Sequence, residues 1–169
     1  VDSETLSAGT AMLALFASRL RESGETAQEI AKKLESKRKK ISTSFILEDT
    51  AFLLRGGRCK AGEKLFADLL SLKPTIDIID GELVPGKKFR GKGLDAMKKY
   101  IAQKLSAGTE KSLCLLNYTA LSKDEVNELS AFAKAQGGFE LVIAQEAGCC
   151  IASHCGERCM GVIFECAGG

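Results

Sequence analysis

The sequence predicts an α/β (α+β) fold in which helices cover a mixed β-sheet. Segments with the helical spacing of apolar residues follow segments that alternate in polarity as strands do. Two of these strands are joined by Asp80-Gly81, a strong hairpin signal, so the sheet cannot be purely parallel. With 169 residues, 45% of them hydrophobic, the chain can form a folded core.

A helix is predicted near the start of the chain, after residues 1–3, which have the pattern of a strand end and a loop. Ser7 is a residue type that caps helix N-termini, and the helix should run from about residue 8 to residue 22. Its stretch Ala11–Ala17 is apolar all round. We therefore expect burial on more than one face, either within a core or along an apolar tunnel.

Thr26 and Glu29 have the spacing of a capping box and begin a second helix that runs to about Arg38. The helix ends in the basic run Lys37-Arg38-Lys39-Lys40. Because cations near a helix C-terminus complement the helix dipole, we interpret this run as a solvated helix end. Contact with nucleic acid or a membrane is the alternative.

The middle of the chain is predicted to combine strands with short helices. Residues 41–47 alternate in polarity and should form a strand. Residues 50–55 form a short helix that Gly56-Gly57 stops, and residues 63–72 have the spacing of another helix. Strands at 75–79 and 82–89 form the hairpin.

Pro85 indicates that the second hairpin strand lies at a sheet edge or is interrupted. The next helix is marked by apolar residues at helical spacing, namely Leu94, Met97, Ile101 and Leu105. Ser122 and Glu125 form a capping box for a further helix, which Gly137-Gly138 ends. The remaining strands are predicted at residues 113–118, 139–144 and 161–166.

Composition disfavours several classes of protein. A net charge of +2 and the lack of tryptophan argue against nucleic-acid binding, which usually needs a strongly basic face or aromatic stacking. The longest apolar stretch, Ala11–Ala17, is far below the roughly 20 residues that cross a bilayer, so no integral membrane segment is predicted. The seven cysteines are odd in number and follow no secretory signal, so we expect reduced thiols in a cytoplasmic protein.

Three basic side chains are candidates for binding an anion. Arg58 follows Gly56-Gly57, where the backbone can approach a ligand and an arginine can clamp a carboxylate or phosphate. Arg90 lies in a basic cluster at the expected start of a helix, a natural anion site. His154, the only histidine, lies in an expected loop of small residues. Each also has a structural interpretation, as a helix cap, a surface charge cluster or a structural histidine.

The cysteines around His154 suggest a second kind of chemistry. Zinc-type ligands are present in sufficient number, namely Cys149, Cys150, Cys155, Cys159 and His154. Their spacing is poor, because no pair has the Cys-x-x-Cys form. A zinc- or thiol-dependent enzyme using this loop is therefore an alternative hypothesis, and a basic interaction module is another.

Several motifs occur in a characteristic order. They are Val1-Asp2-Ser3 with Ser7-Ala8-Gly9, Leu54-Arg55-Gly56-Gly57-Arg58, Leu72-Lys73-Pro74, Asp80-Gly81, Lys88-Phe89-Arg90, His154-Cys155-Gly156 and Gly161. This ordered set resembles the DegV family, bacterial proteins that bind a fatty acid.

The resemblance implies a lipid-binding protein that is not itself catalytic. Such a protein holds a long-chain fatty acid, its only ligand, in a buried tunnel between two domains. It presents the carboxylate to a separate fatty-acid kinase, which makes an acyl phosphate for phospholipid synthesis. By this resemblance Arg58 and Arg90 face the kinase or the phosphorylated head group, and His154 belongs to the head-group network. Met12, Leu15 and Phe16 become candidates for lining the tunnel, and no metal is implied.

The resemblance also implies a division of the chain. Residues 1–40 match the end of the family's N-terminal α/β domain, as a strand end plus two helices, and residues 41–169 match its C-terminal lipid-binding domain. The family's Thr-Ser and Ser-Gly-Thr motifs, which hold the carboxylate, have no counterpart here, so we expect this chain to be the latter part of a longer protein. Glu157-Arg158 stands where the family favours Pro-Gly.

Overall fold

The computed structural model describes residues 1–58 and 72–167. Its helices are α1 (Ala8–Glu22), α2 (Ala27–Arg38), α3 (Ala51–Arg55), α4 (Asp95–Leu105), α5 (Lys123–Gly137) and α6 (Cys149–Cys155). Its strands are β1 (Ile41–Ile46), β2 (Leu72–Ile79), β3 (Glu82–Arg90), β4 (Thr109–Tyr118), β5 (Leu141–Glu146) and β6 (Met160–Cys166). The helix predicted at 63–72 lies outside the described residues, except for Leu72, which begins β2.

The strands form a single mixed sheet in the order β3-β2-β1-β6-β4-β5. Only the β4–β5 pair is parallel within the described sheet, which confirms the predicted mixed α/β architecture. Asp80 and Gly81 both have positive φ, 49° and 80°, as a type I′ hairpin turn requires. The strand β3, which contains Pro85, lies at the sheet edge as predicted, where a missing N–H costs no ladder bond.

One face of the sheet packs against α4 and α5 and forms the largest core. The strands contribute fully buried residues at alternate positions, namely Ile46, Cys114, Leu116, Met160, Val162 and Phe164. The two helices cover them with Met97, Tyr100, Ile101, Leu129 and Ala133. The helical spacing predicted for Leu94 to Leu105 therefore marks the buried face of α4 correctly.

Tyr100 makes a buried hydrogen bond within this core, and we predict that this bond contributes to stability. Its hydroxyl lies 2.8 Å from Ser44 Oγ, and both side chains are buried. Tyr100→Phe should therefore lower the free energy of unfolding by about 1–3 kcal/mol, because Ser44 then lacks its partner. Urea denaturation measures this loss. The double variant with Ser44→Ala should lose less stability than the sum of the two single variants, and a loss equal to that sum would contradict the hydrogen bond's role.

The opposite face of the sheet is covered at its two ends by different helices. At one end, Ala8 and Met12 of α1 pack on Leu113, Leu115 and Ile163. At the other end, α3 and α6 cover a cluster formed by Phe45, Leu47, Leu53, Ile76, Cys155 and Cys159. A gap between α1 and α6 remains on this face, and it positions the candidate site.

The N-terminal region departs from the sequence prediction in two respects. Residues 1–3 form no strand, although α1 begins at Ala8 as predicted. The helix α1 is covered by the sheet through Met12 and by α2 beside Leu13, but its third side is open. Leu15 on this side is 41% exposed. The apolar run of α1 therefore includes residues on a side of the helix that is exposed to solvent.

The basic run at the end of α2 is partly tied to the fold. Lys37 pairs with Glu165 of β6 at 2.5 Å, and its ammonium lies 4.3 Å from the centre of the Phe16 ring. Arg38 pairs with Glu4 at 2.7 Å. Lys37 and Arg38 therefore depart from the predicted solvated helix end. Among the described helices, none combines the length and apolarity needed to cross a bilayer.

Candidate functional site

The gap between α1 and α6 is a narrow groove with an almost wholly apolar lining, which we call the apolar groove. Its floor is formed by β1, β4 and β6, and its walls by the start of α1 and by α6 with the turn that follows. The lining residues are Leu6, Ser7, Ala8, Thr43, Ser44, Phe45, Asn117, Ile151, Cys155, Cys159, Gly161 and Ile163. The cavity volume is about 40 Å³.

Gly161 provides the space in the floor of the groove. It lies inside β6 between Phe45 of β1 and Asn117 of β4, which are its cross-strand partners. A Cβ added there would lie 3.4 Å from the carbonyl oxygens of Ser44 and Asn117, which is ordinary contact. Neighbouring backbone therefore does not demand glycine at this position. In a strand interior, a glycine often marks a place that a ligand approaches closely.

Ser7 and Asn117 form the polar edge of the groove. The Asn117 Nδ2 group donates a hydrogen bond to Ser7 Oγ, while Asn117 Oδ1 is buried and has no partner among the described residues. Ser7 occupies the N-cap position as predicted, but its side chain makes no capping bond. Its hydroxyl is directed to the sheet instead of to the first turn of α1.

His154 lies beside the groove on α6. The predicted loop is in fact a seven-residue helix, Cys149–Cys155, between Gly148 and Gly156. The ring Nδ1 is 2.8 Å from the Cys150 carbonyl oxygen, so Nδ1 carries the proton and donates to it. In the neutral ring Nε2 is therefore an acceptor, and in the protonated ring it is a donor that suits a carboxylate.

Two glycines allow α3 and α6 to contact each other. A Cβ added at Gly56 would lie 2.6 Å from His154 Cδ2, so the imidazole packs directly on the glycine backbone. A Cβ added at Gly156 would lie 2.8 Å from Phe52 Cε2. The His154 ring of α6 thus lies over Gly56, which follows α3, and the Phe52 ring of α3 lies over Gly156, which follows α6. The glycine-arginine motif and the histidine-glycine motif meet here.

Arg58 and Arg90 lie at the same end of the sheet as this contact. Arg58 is exposed, and its Nη1 donates to the Gly56 carbonyl oxygen at 3.2 Å. Arg90 is exposed as the last residue of β3, opposite Leu72, so the prediction that it begins a helix is wrong. The strand continues through Arg90, and α4 begins at Asp95. The structure brings His154 to Gly56 and leaves both arginines available to solvent.

The turn after α6 is held by Thr119 and Glu125. Arg158 in this turn has φ of 56°, a region that favours glycine. Its guanidinium donates to Glu125 Oε1 at 2.7 Å. The pKa of Glu125 is lowered from 4.5 to about 2. The hydrogen bond from Arg158 contributes most to this change, and the hydrogen bond from the Ser122 backbone N–H contributes next.

The Glu125 carboxylate should make stability depend on pH. A carboxyl group with a lowered folded-state pKa adds stability above its unfolded pKa of 4.5 and loses it as pH falls toward about 2. The difference in free energy of unfolding between wild type and Glu125→Gln should therefore be largest above pH 4.5 and shrink between pH 4.5 and 2. Urea denaturation at several pH values measures it, and a difference independent of pH would contradict the ion pair's role.

The three tunnel-lining candidates lie on α1 but outside the lining of the groove. Met12 is buried under α1, and Phe16 faces a separate cavity between α1 and α2. Leu15 is on the open side of α1. Their role as lining residues stays a prediction.

The cysteine cluster does not assemble a metal site within residues 1–58 and 72–167. No group of three His, Cys, Asp or Glu side chains there is placed to hold an ion. Cys149 and Cys150 are exposed on α6, whereas Cys155 and Cys159 are buried together in the wall of the groove. The four cysteines are close in sequence, but the fold separates them into an exposed pair, Cys149 and Cys150, and a buried pair, Cys155 and Cys159.

Sequence reasoning missed the floor of the groove. The sequence predicts only a strand over residues 41–47, which includes Phe45, and gives no signal at Asn117. The detectable signal is Gly161, a glycine in a strongly apolar segment.

Comparison with known proteins places these features in a family. A family model described as "Uncharacterised protein, DegV family" matches residues 1–166. A DegV domain-containing protein of Caldanaerobacter subterraneus is 28% identical over 166 residues, covering 98% of this chain and 59% of the relative. A Streptococcus pyogenes relative is 28% identical over 163 residues, covering 96% of this chain and 56% of the relative.

Solved structures agree with this assignment. A DegV family protein from Thermus thermophilus, described by its fatty acid binding, is 27% identical with a TM-score of 0.86, covering 99% of this chain and 60% of that chain. A Thermotoga maritima protein described as revealing a fatty acid binding function is 25% identical with a TM-score of 0.80, covering 99% and 58%. The Streptococcus pneumoniae fatty acid kinase B3 protein, loaded with linoleic acid, shares the fold at 16% identity and a TM-score of 0.78, covering 92% and 55%.

The chain spans between 55% and 60% of the length of these relatives. The family match nevertheless extends over almost all of this chain, from residue 1 to residue 166. The motifs around Gly56, Asp80-Gly81 and His154 lie in the elements described above. The chain therefore belongs to the DegV family.

Proposed function

We propose that the protein binds a long-chain fatty acid in the apolar groove and presents its carboxylate to a separate kinase. The kinase would transfer the terminal phosphoryl group of ATP to a carboxylate oxygen, giving an acyl phosphate and ADP. The protein itself contributes binding and orientation, not catalysis. The observation that carries the proposal is the apolar groove itself.

The groove has the chemistry that an acyl chain needs. Its exposed lining is almost wholly apolar, and four residues with polar side chains contribute to it, namely Ser7, Thr43, Ser44 and Asn117. Ligand sites of this type are apolar clefts with a few polar groups that fix orientation. The two solved relatives at 27% and 25% identity are described as fatty-acid-binding proteins, which supports the same ligand class here.

Acyl-chain binding requires the groove to widen. Its volume of about 40 Å³ is close to one water molecule's share of liquid volume, about 30 Å³. The floor belongs to three hydrogen-bonded neighbouring strands, whereas α1 and α6 are separate elements that rest on it. We therefore propose that the groove widens when α1 and α6 move apart.

The head group is assigned to the end of the groove beside α6. His154 is on this helix with its Nε2 atom next to Gly56, and Arg58 and Arg90 are exposed at the same end of the sheet. A protonated His154 donates to a carboxylate through Nε2. The arginines suit the more highly charged phosphate groups of the kinase reaction.

Lipid extraction tests the ligand. The purified protein is extracted with organic solvent, and any fatty acid is quantified by mass spectrometry against the protein. Delipidated protein is then titrated with oleate and followed by native mass spectrometry. We expect one fatty acid per chain in at least one of the two experiments. A lipid-free extract together with no uptake of oleate would overturn the proposal.

Charge reversal tests the head-group end separately. Arg58→Glu and Arg90→Glu should leave oleate binding unchanged within about twofold, because both side chains are solvent-exposed, and should lower acyl-phosphate formation by a partner kinase about tenfold or more. Lys88→Glu, an exposed charge reversal near Arg90, is the matched control. Equal effects of all three variants on the kinase assay would contradict the assignment.

A further inference from the structure

Cys155 and Cys159 form a buried pair in the wall of the apolar groove. Cys155 is the last residue of α6, and Cys159 immediately precedes β6. Their exposed fractions are 7% and 4%, and both line the groove. Neither is used in the proposed function.

Thr119 holds the turn between the two cysteines closed. Its Oγ1 donates to the Gly156 carbonyl oxygen at 2.6 Å and accepts from the Cys159 backbone N–H at 3.0 Å. Its backbone N–H donates to the Cys159 carbonyl oxygen, and its carbonyl oxygen accepts from the Arg158 N–H, both at 3.0 Å. One oxygen atom thus links the residue after Cys155 to Cys159. Thr119 thus fixes the backbone between two cysteines whose side chains pack in one buried cluster.

The two thiols also differ in acidity. A hydrogen bond from Cys159 lowers the pKa of Cys155, and the same bond together with burial raises the pKa of Cys159. By contrast, burial alone raises the pKa of Cys114 to about 12. The reactive form of a cysteine is the thiolate, so the lowered pKa favours Cys155 as the nucleophile of the pair and Cys159 as the thiol that resolves it.

We propose that Cys155 and Cys159 are a peroxide-oxidisable dithiol, and that oxidation of this dithiol and occupation of the groove oppose each other. The first step transfers oxygen from hydrogen peroxide to the Cys155 thiolate, giving a sulfenic acid and hydroxide. The Cys159 thiol then attacks the sulfenic sulfur, which forms the disulfide and releases water. Overall, two thiols and one peroxide give one disulfide and two waters, and an external dithiol reverses the change.

The opposition follows from the position of both sulfur atoms. An acyl chain in the groove covers them and keeps peroxide away. A disulfide joins α6 to the start of β6 and restricts the widening that an acyl chain requires. Coupling between two binding or reaction equilibria is reciprocal, so each state must disfavour the other. This second part rests on the proposed function, whereas the oxidation itself does not.

A cleavage site between the two cysteines makes the test direct. Trypsin cuts after Lys134 and Arg158, so Cys155 and Cys159 fall on different peptides, 135–158 and 159–169. A C149S/C150S/C166S variant removes the other cysteines of these peptides. After treatment of the delipidated variant with hydrogen peroxide, mass spectrometry should show the two peptides linked, and dithiothreitol should separate them. Cys155→Ser in the same background should abolish the link.

The possible outcomes distinguish the two parts. No linked peptides in the delipidated variant would overturn the whole proposal. Linked peptides that form about tenfold more slowly with saturating oleate would support both parts. Linked peptides at an unchanged rate, with oleate shown bound by native mass spectrometry, would overturn the coupling alone. If oleate neither binds nor protects, the proposed function and the coupling fail together, and the dithiol stands.

Discussion

Replacing Gly161 by valine is expected to lower fatty-acid affinity about tenfold or more, which is a loss of about 1.4 kcal/mol or more in binding free energy. The valine side chain would rise from the floor between Phe45 and Asn117 into a groove of about 40 Å³. The strand itself should tolerate the change, because an added Cβ makes only ordinary contacts and valine favours strands. Oleate titration measures affinity, and thermal unfolding checks the fold.

Two control variants make this result specific to the groove. Gly161→Ala adds a single methyl group and should have a smaller effect than valine. Gly148→Val adds the same side chain at the start of α6, where an added Cβ meets nothing within 4 Å. It should leave affinity unchanged. Unaltered oleate affinity in a folded Gly161→Val protein would show that the acyl chain does not use this floor.

Replacing Gly156 by alanine is expected to lower the free energy of unfolding by about 2–4 kcal/mol. Gly156 has φ of 73° and ψ of −168°, a conformation that is almost restricted to glycine and costs other residues about 1–3 kcal/mol. The new Cβ would also collide with the Phe52 ring, which lies against this glycine. Forced overpacking typically adds about 1–3 kcal/mol. The contact between α3 and α6, and with it the position of His154, should weaken.

Urea denaturation with two further variants separates strain from collision. Gly57→Ala also lies at positive φ, 65°, but its added Cβ meets nothing within 4 Å, so it should cost only about 1 kcal/mol. Combining Gly156→Ala with Phe52→Ala should cost less than the sum of the two single changes, because the ring that collides is gone. Equal costs for Gly156→Ala and Gly57→Ala would contradict the proposed packing.

Much of the fold could be predicted because local signals agreed with it. The capping boxes at Thr26 and Ser122, each with a glutamate three residues later, mark the starts of α2 and α5. The Asp80-Gly81 turn and Pro85 identify a hairpin at the sheet edge. These devices act over a few residues, so the sequence displays them directly.

The errors occurred where tertiary contacts decide the structure. A seven-residue helix is too short to be stable alone, so α6 depends on its packing against α3, which local sequence does not show. Arg90 extends β3 because Leu72 of β2 pairs with it. The open side of α1 at Leu15 likewise depends on which elements the fold brings near it.

The groove could not be predicted because its parts are distant in sequence. The register of β1, β6 and β4 brings together Phe45, Gly161 and Asn117. Ser7 joins them from the start of α1 through its hydrogen bond with Asn117. The sequence motifs instead emphasised Arg58, Arg90 and His154, which lie at one end of the site. The resemblance to a family thus suggested the ligand class, and the apolar groove is the place that we propose for it.

Photo-crosslinking tests most directly whether an acyl chain lies in the apolar groove. The protein is loaded with a long-chain fatty acid that carries a diazirine within its chain, irradiated and analysed by peptide mass spectrometry. We predict that the label attaches to the floor and walls, at Phe45, Ile151 or Ile163, and that excess oleate suppresses it. Labelling confined to residues away from the groove would contradict the account.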